Sequence, residues 1–146
     1  MSAKKPEELI GRHEAFLACA PAKRPLLGFW CGGYYPAEQF PHGIATWREG
    51  QTLTPAAVRF TPFAEDYEHL FRLHQKVDDD FFYVGSAYWG IPWLEAILGC
   101  PVKAGRNNCW AETCLTEPQA ASALPPLQDD NPWLACLLRF TEDLVR

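Results

Sequence analysis

Asp78-Asp79-Asp80-Phe81-Phe82-Tyr83-Val84-Gly85 is the stretch on which the fold reading turns. Three consecutive acids cannot all point one way, so they read as a solvated turn that ends a helix. The aromatic and β-branched run Phe81 to Val84 then reads as a buried strand, closed by Gly85. Upstream, Thr61-Pro62 has the residues of a helix opening. Phe63, Tyr67, Leu70, Phe71 and His74 follow on one helical face. Downstream, Ile91-Pro92 opens a short helix through Leu98, and Gly99 ends it.

Further out the same alternation continues. Pro6, Glu7 and Glu8 look like a helix start, with acids near the positive end of the helix dipole. Leu9, His13, Phe16 and Ala20 keep helical spacing until Pro21. Leu26 to Trp30 reads as a strand, and Cys31-Gly32-Gly33-Tyr34-Tyr35-Pro36 as a loop. Thr54-Pro55 is a second cap-plus-proline opening. Pro101-Val102 and residues 108–115 read as short strands, and Leu124 to Gln128 as a proline-rich connector. Asn131-Pro132 caps a last helix that carries Leu134, Leu137, Leu138, Leu144 and Val145. Strands alternating with helices predict an α/β domain.

The 146 residues suit a single domain with a substantial core. The 6 Trp and 9 Phe need a large core, a ligand cleft or a partner to cover them. A net charge of -5, with basic residues no denser than Lys23-Arg24, argues against nucleic acid and anionic membrane surfaces. The polar N-terminus has no signal-peptide core, and no apolar run is long enough for a membrane span. A cytoplasmic protein is expected. The 6 cysteines then read as free thiols rather than a disulfide framework.

Gly90-Ile91-Pro92-Trp93-Leu94-Glu95-Ala96-Ile97-Leu98-Gly99-Cys100-Pro101-Val102 resembles the uroporphyrinogen decarboxylase superfamily, and more closely its methyltransferase-like, corrinoid-dependent branch. Arg24-Pro25-Leu26-Leu27-Gly28-Phe29-Trp30, Asp78 to Val84 and Asn131-Pro132-Trp133-Leu134 match it in the same order. The resemblance implies residues 1–146 as the N-terminal portion of a (β/α)8 TIM-barrel-like fold, an incomplete and apparently truncated barrel. Open strand edges would then call for a homo-oligomer, such as a dimer, or for a partner chain supplying the rest of the barrel. Two departures argue against porphyrinogen decarboxylation. The segment Trp30 to Tyr35 holds no arginine, and Gly85-Ser86-Ala87-Tyr88 holds no carboxylate. The branch's zinc ligands belong to the missing half, so this chain is expected to hold no cofactor itself, and zinc or corrinoid only in a completed family member. Completed, it would transfer a methyl group between a corrinoid or methylated donor and a thiol, as a methyltransferase-like or decarboxylase-like enzyme. Alone it is expected not to be a complete catalyst.

Loops at the C-terminal ends of barrel strands build active sites. Trp30, Tyr34, Tyr35, His42, Tyr88 and Trp93 are therefore the expected lining of a small-molecule substrate pocket. No catalytic residue is assigned. Cys31 could act as a nucleophile only with a distant histidine. Cys100, Cys109 and Cys114 lack zinc spacing, and no histidine follows His74, so no metal ligand is named. The alternative is a non-enzymatic α/β domain that binds a small ligand or a partner through its aromatic side chains.

Overall fold

A computed structural model describes residues 6–115, 117 and 126–146. The first two residues of the expected connector Leu124 to Gln128 lie outside the described residues. Six helices and a small sheet follow one another: α1 Pro6–Leu17, α2 Pro36–Gln39, α3 Pro41–Ile44, β1 Thr52–Leu53, α4 Ala64–His74, α5 Trp93–Ile97, β2 Val102–Ala104, β3 Cys109–Ala111 and α6 Pro132–Leu144. The openings at Thr54-Pro55 and Thr61-Pro62 each form one 3-10 turn, Pro55–Ala57 and Thr61–Phe63, and the second runs directly into α4. Asn131 caps α6 as its sequence suggested. Its side-chain oxygen accepts from the backbone N–H of Trp133 at 3.0 Å and of Leu134 at 3.1 Å. Its amide nitrogen donates to the Ile97 carbonyl at 2.9 Å, which ties α6 to α5.

The expected α/β architecture, an N-terminal part of a (β/α)8 barrel, is overturned. The sheet has three strands in the order β1-β2-β3, and both pairings are antiparallel, with Leu53 opposite Val102 and Lys103 opposite Trp110. Neither segment read as a barrel strand, Leu26 to Trp30 or Phe81 to Val84, forms a strand. The reason lies in the acidic turn between them. The Asp80 N–H donates to the Leu27 carbonyl at 2.7 Å. The N–H groups of Leu27 and Phe29, which a ladder would use, instead donate to the Asp80 and Asp79 carboxylates at 3.0 and 3.2 Å. Without a covering layer, Phe81, Phe82 and Val84 are exposed rather than buried.

The core is an aromatic cluster between the α3–α4 corner and α6. Phe40, Phe63, Tyr67, Tyr88 and Phe140 are all buried. Phe63 lies 4.8 Å from Tyr88 and 5.5 Å from Phe140, ring centroid to centroid. Phe40 reaches Tyr67 at 4.8 Å in an edge-on contact. Such pairs contribute ~0.5–1.5 kcal/mol each beyond the apolar area they bury. The sheet closes one side. Leu53, Val102, Ala104 and Cys109 face the core, while on the other face Lys103 Nζ donates to Thr52 Oγ1 at 2.6 Å.

The solvated acidic turn is also corrected, because Asp79 and Asp80 are buried. Asp80, at 0 % exposure, accepts from both guanidinium nitrogens of Arg24, from Arg12 of α1 and from the Leu27 N–H. Its carbonyl accepts from His13 Nε2 at 2.7 Å. One residue thus fastens α1 to both extended segments. Beyond this, α1 is held by buried Leu9 and by the His13 ring against Phe81 and Phe82, while Phe16 and Leu17 are exposed.

Removing one member of a buried ion pair costs ~3–5 kcal/mol. The two arginines are partly exposed and regain water, which places Asp80→Ala near the lower end, at a loss of about 3 kcal/mol in urea unfolding. A loss below ~1 kcal/mol, the size of an exposed pair, would show that Asp80 is not what fastens α1.

Candidate functional site

The loop between residues 30 and 36 is shaped by Gly32 and Gly33, with φ of +87° and +113°. A Cβ on Gly32 would lie 2.2 Å from Leu70 Cδ2, so glycine is required there twice over, for the left-handed angle and for the close approach to α4. The loop then enters α2. Its Glu38 carboxylate reaches back to the N–H groups of Tyr34 and Tyr35, at 2.7 and 3.1 Å. The next residue, Gln39, is buried and uses both ends of its amide. Its amide nitrogen donates to the Gly33 carbonyl at 3.0 Å, and its carbonyl oxygen accepts from Trp89 Nε1 at 3.2 Å. The Gly33 carbonyl also accepts from Trp30 Nε1 at 2.7 Å. Two indoles are therefore oriented through one glutamine and one carbonyl. They meet edge-on, with ring centroids 5.8 Å apart.

These indoles form the lip of a cleft of about 970 Å³. Leu26 to Cys31 make one wall and Phe81 to Val84 the other, over a floor of Phe40, Tyr67 and Leu70. The volume and the mostly apolar lining with a few polar groups suit a small-molecule site. The polar groups are His74, Cys31, Gln39 and Ser86. The Ser86 carbonyl accepts from the Tyr67 hydroxyl at 2.6 Å. His74 Nε2 pairs with Asp79 Oδ2 at 3.0 Å, and the same carboxylate oxygen accepts the Phe29 N–H. Burial, and then the Asp79 charge, push the Cys31 thiol up, which leaves little thiolate for attack.

Of the six residues expected to line a pocket, Trp30 stands on the cleft wall. Tyr34 and Tyr35 meet edge-on, ring centroids 5.1 Å apart, in the neighbouring loop. Trp93 donates to the Tyr88 carbonyl at 3.1 Å and packs edge-on against Trp133. Tyr88 lies in the core at 0 % exposure, with Gly90 against its hydroxyl. His42 sits apart, on α3. Its Nδ1 donates to Asp66 Oδ1 at 2.6 Å, and buried Asp66 also accepts the N–H groups of His42 and Gly43. Asp66 of α4 thus holds the start of α3. The reading of residues alone missed Gln39 and the Phe81–Phe82 wall. Nothing in the sequence marks Gln39, whereas Phe81 and Phe82 were visible but assigned to a buried strand.

No family model, no curated protein and no solved structure matches the chain. The resemblance drawn from its motifs rests on those motifs alone.

Among the described residues, the Tyr88 hydroxyl is the buried side-chain polar atom without a hydrogen-bond partner. A buried unsatisfied group costs ~1–3 kcal/mol, so Tyr88→Phe raises the unfolding free energy by about 1 kcal/mol. A loss instead would show that the hydroxyl has a partner and a role.

The Asp66 hydrogen bond, then the Asp66 charge, raise the His42 pKa above the ordinary ~6.5. The folded chain therefore holds the His42 proton more tightly than the unfolded chain. The resulting stabilisation is complete below pH ~6.5 and is lost as pH rises through the folded pKa. Thermal midpoints measured across that interval fall with rising pH, and His42→Gln flattens the fall. An equal slope in the variant would place the titration elsewhere.

Proposed function

We propose that this chain is a binding domain that takes a flat, largely apolar small molecule into the cleft between Leu26–Cys31 and Phe81–Val84. The observation that carries the reading is the fixed indole pair. Trp30 is 69 % exposed and Trp89 42 % exposed, yet both indole nitrogens are committed to hydrogen bonds that set the ring planes. Large aromatic faces held open to solvent bind with little further loss of side-chain freedom. The cleft supplies apolar area along its length and hydrogen-bonding groups around His74 and Cys31. Both walls are anchored through Asp79 and Asp80, so the cleft is present before a ligand arrives.

The reading assigns binding and no reaction. Among the described residues, no three His, Cys, Asp or Glu side chains gather where they could hold a metal ion. If a partner brings the chemistry, as the methyltransferase resemblance implies, this cleft is the part that would receive the substrate.

The test is a titration with 1-anilinonaphthalene-8-sulfonate, whose naphthalene ring offers a flat apolar face beside a charged sulfonate, followed by its own emission and by tryptophan quenching. The expected result is saturable binding at one site. Trp89→Ala weakens it roughly tenfold, equivalent to ~1.4 kcal/mol for a lost ring contact. Gln39→Leu weakens it as well while leaving the indoles present. Leu138→Ala, on the exposed face of α6, leaves it unchanged. Unsaturable binding, or equal affinity in Trp89→Ala, would refute the site.

A further inference from the structure

A second chemical feature lies outside the cleft, at the open end of the β2–β3 hairpin. The antiparallel register pairs Val102 with Ala111, and one step further out the Glu112 N–H donates to the Pro101 carbonyl at 2.8 Å. The two chains therefore leave the sheet side by side, with Cys100 just before one strand and Cys114 just after the other. Cys100 Sγ lies against Cys114 Sγ, 2.6 Å away. Both are free thiols; Cys114 is exposed and Cys100 half-buried. On its other side Cys100 is fixed to α5, where its N–H donates to the Glu95 carbonyl at 2.9 Å.

Two of the other four cysteines stand apart in kind. Cys109 and Cys136 are buried in the core. Burial raises the Cys109 thiol to about 11. Cys136 donates to the carbonyls of Pro55 and Val58, both at 3.4 Å. Both behave as small apolar side chains rather than reactive thiols.

We infer that Cys100 and Cys114 form a reversible dithiol–disulfide site that reacts with low-molecular-weight disulfides of the glutathione class. Cys114 is the accessible thiol and attacks first. Its thiolate, having lost a proton to solvent, bonds to one sulfur of the small disulfide, and the other half leaves as a thiolate. Cys100 is the resolving thiol. The Cys114 sulfur beside it and partial burial favour its protonated form, and the proton is released as its sulfur attacks Cys114 in the mixed disulfide. The second small thiol leaves. Two protein thiols have then become one disulfide, and one small disulfide has become two small thiols. The second step is intramolecular between groups already in contact, so the mixed disulfide does not accumulate. The new bond ties the end of α5 to the exit of β3 across a separation of 14 residues.

The experiment equilibrates the purified chain with mixtures of reduced and oxidised glutathione. It then alkylates the unfolded chain with iodoacetamide and maps the products by mass. The oxidised chain is expected to take two labels fewer than its 6 cysteines allow, with one crosslinked peptide pair joining Cys100 to Cys114. The thermal midpoint rises on oxidation and returns on reduction. Cys100→Ser is expected instead to trap a glutathione adduct on Cys114. Full labelling after oxidation, crosslinks spread over Cys19 and Cys31, or a lasting adduct on wild-type Cys114 would each overturn the proposal. The wild-type measurement stands alone if the variant does not fold.

Discussion

The Asp80 carboxylate sits out of contact with solvent and is shared by Arg12, Arg24 and the Leu27 N–H, and much of the architecture follows from that burial. A carboxylate moved out of water loses several kcal/mol of hydration, and a single neutral hydrogen bond cannot offset it. Two guanidinium groups and a backbone donor can. Supplying them brings together three parts of the chain: α1 through Arg12, the following segment through Arg24 and Leu27, and the acidic turn itself. Asp79 repeats the arrangement on a smaller scale with His74, Phe29 and Phe81. The side of the molecule that holds the cleft is organised by carboxylates. Beneath the cleft, whose floor includes Phe40 and Tyr67, the structure is organised by packing among Phe40, Phe63, Tyr67, Tyr88 and Phe140.

This division explains which parts of the fold were legible in the sequence. Local signals held where they were self-contained. Asn131-Pro132 caps α6, Pro6-Glu7-Glu8 opens α1, and the residues around 102 and 109–111 form strands. They failed where a long-range partner decides. Phe81 to Val84 has the composition of a buried strand, but the donors of the neighbouring segment are taken by the Asp79 and Asp80 side chains, so no ladder forms. The same composition then lines a cleft. Three acids in a row were read as solvated because their cationic partners, Arg12 and Arg24, lie 68 and 56 positions away from Asp80, too far for any local pattern to register.

The candidate site was legible in the same uneven way. Aromatic abundance in the loops pointed to a cleft, and Trp30 is on its wall. The residue that organises the lip, Gln39, carried no signal, because a glutamine at the end of a four-residue helix resembles any surface glutamine until its two partners are seen. Tyr88 carried a misleading one. Adjacent in sequence to Trp89, it points the opposite way, since the chain at Gly90 approaches its ring so closely that a Cβ would lie 2.3 Å from the hydroxyl.

Ordering by carboxylates and ordering by packing place different demands on the two regions. A close-packed aromatic core has no room for a guest, because its volume is already filled at the density of a molecular crystal. A wall held at its polar edge leaves its apolar side chains only partly covered: Phe81 and Phe82 pack against the His13 ring, yet Phe29, Phe81 and Phe82 are each about half exposed. Leaving that surface wetted forgoes roughly 25 cal/mol for every Å² that packing would have buried. A ligand whose shape fits the cleft recovers that forgone burial without rearranging the core, because the planes of Trp30 and Trp89 at its lip are already set.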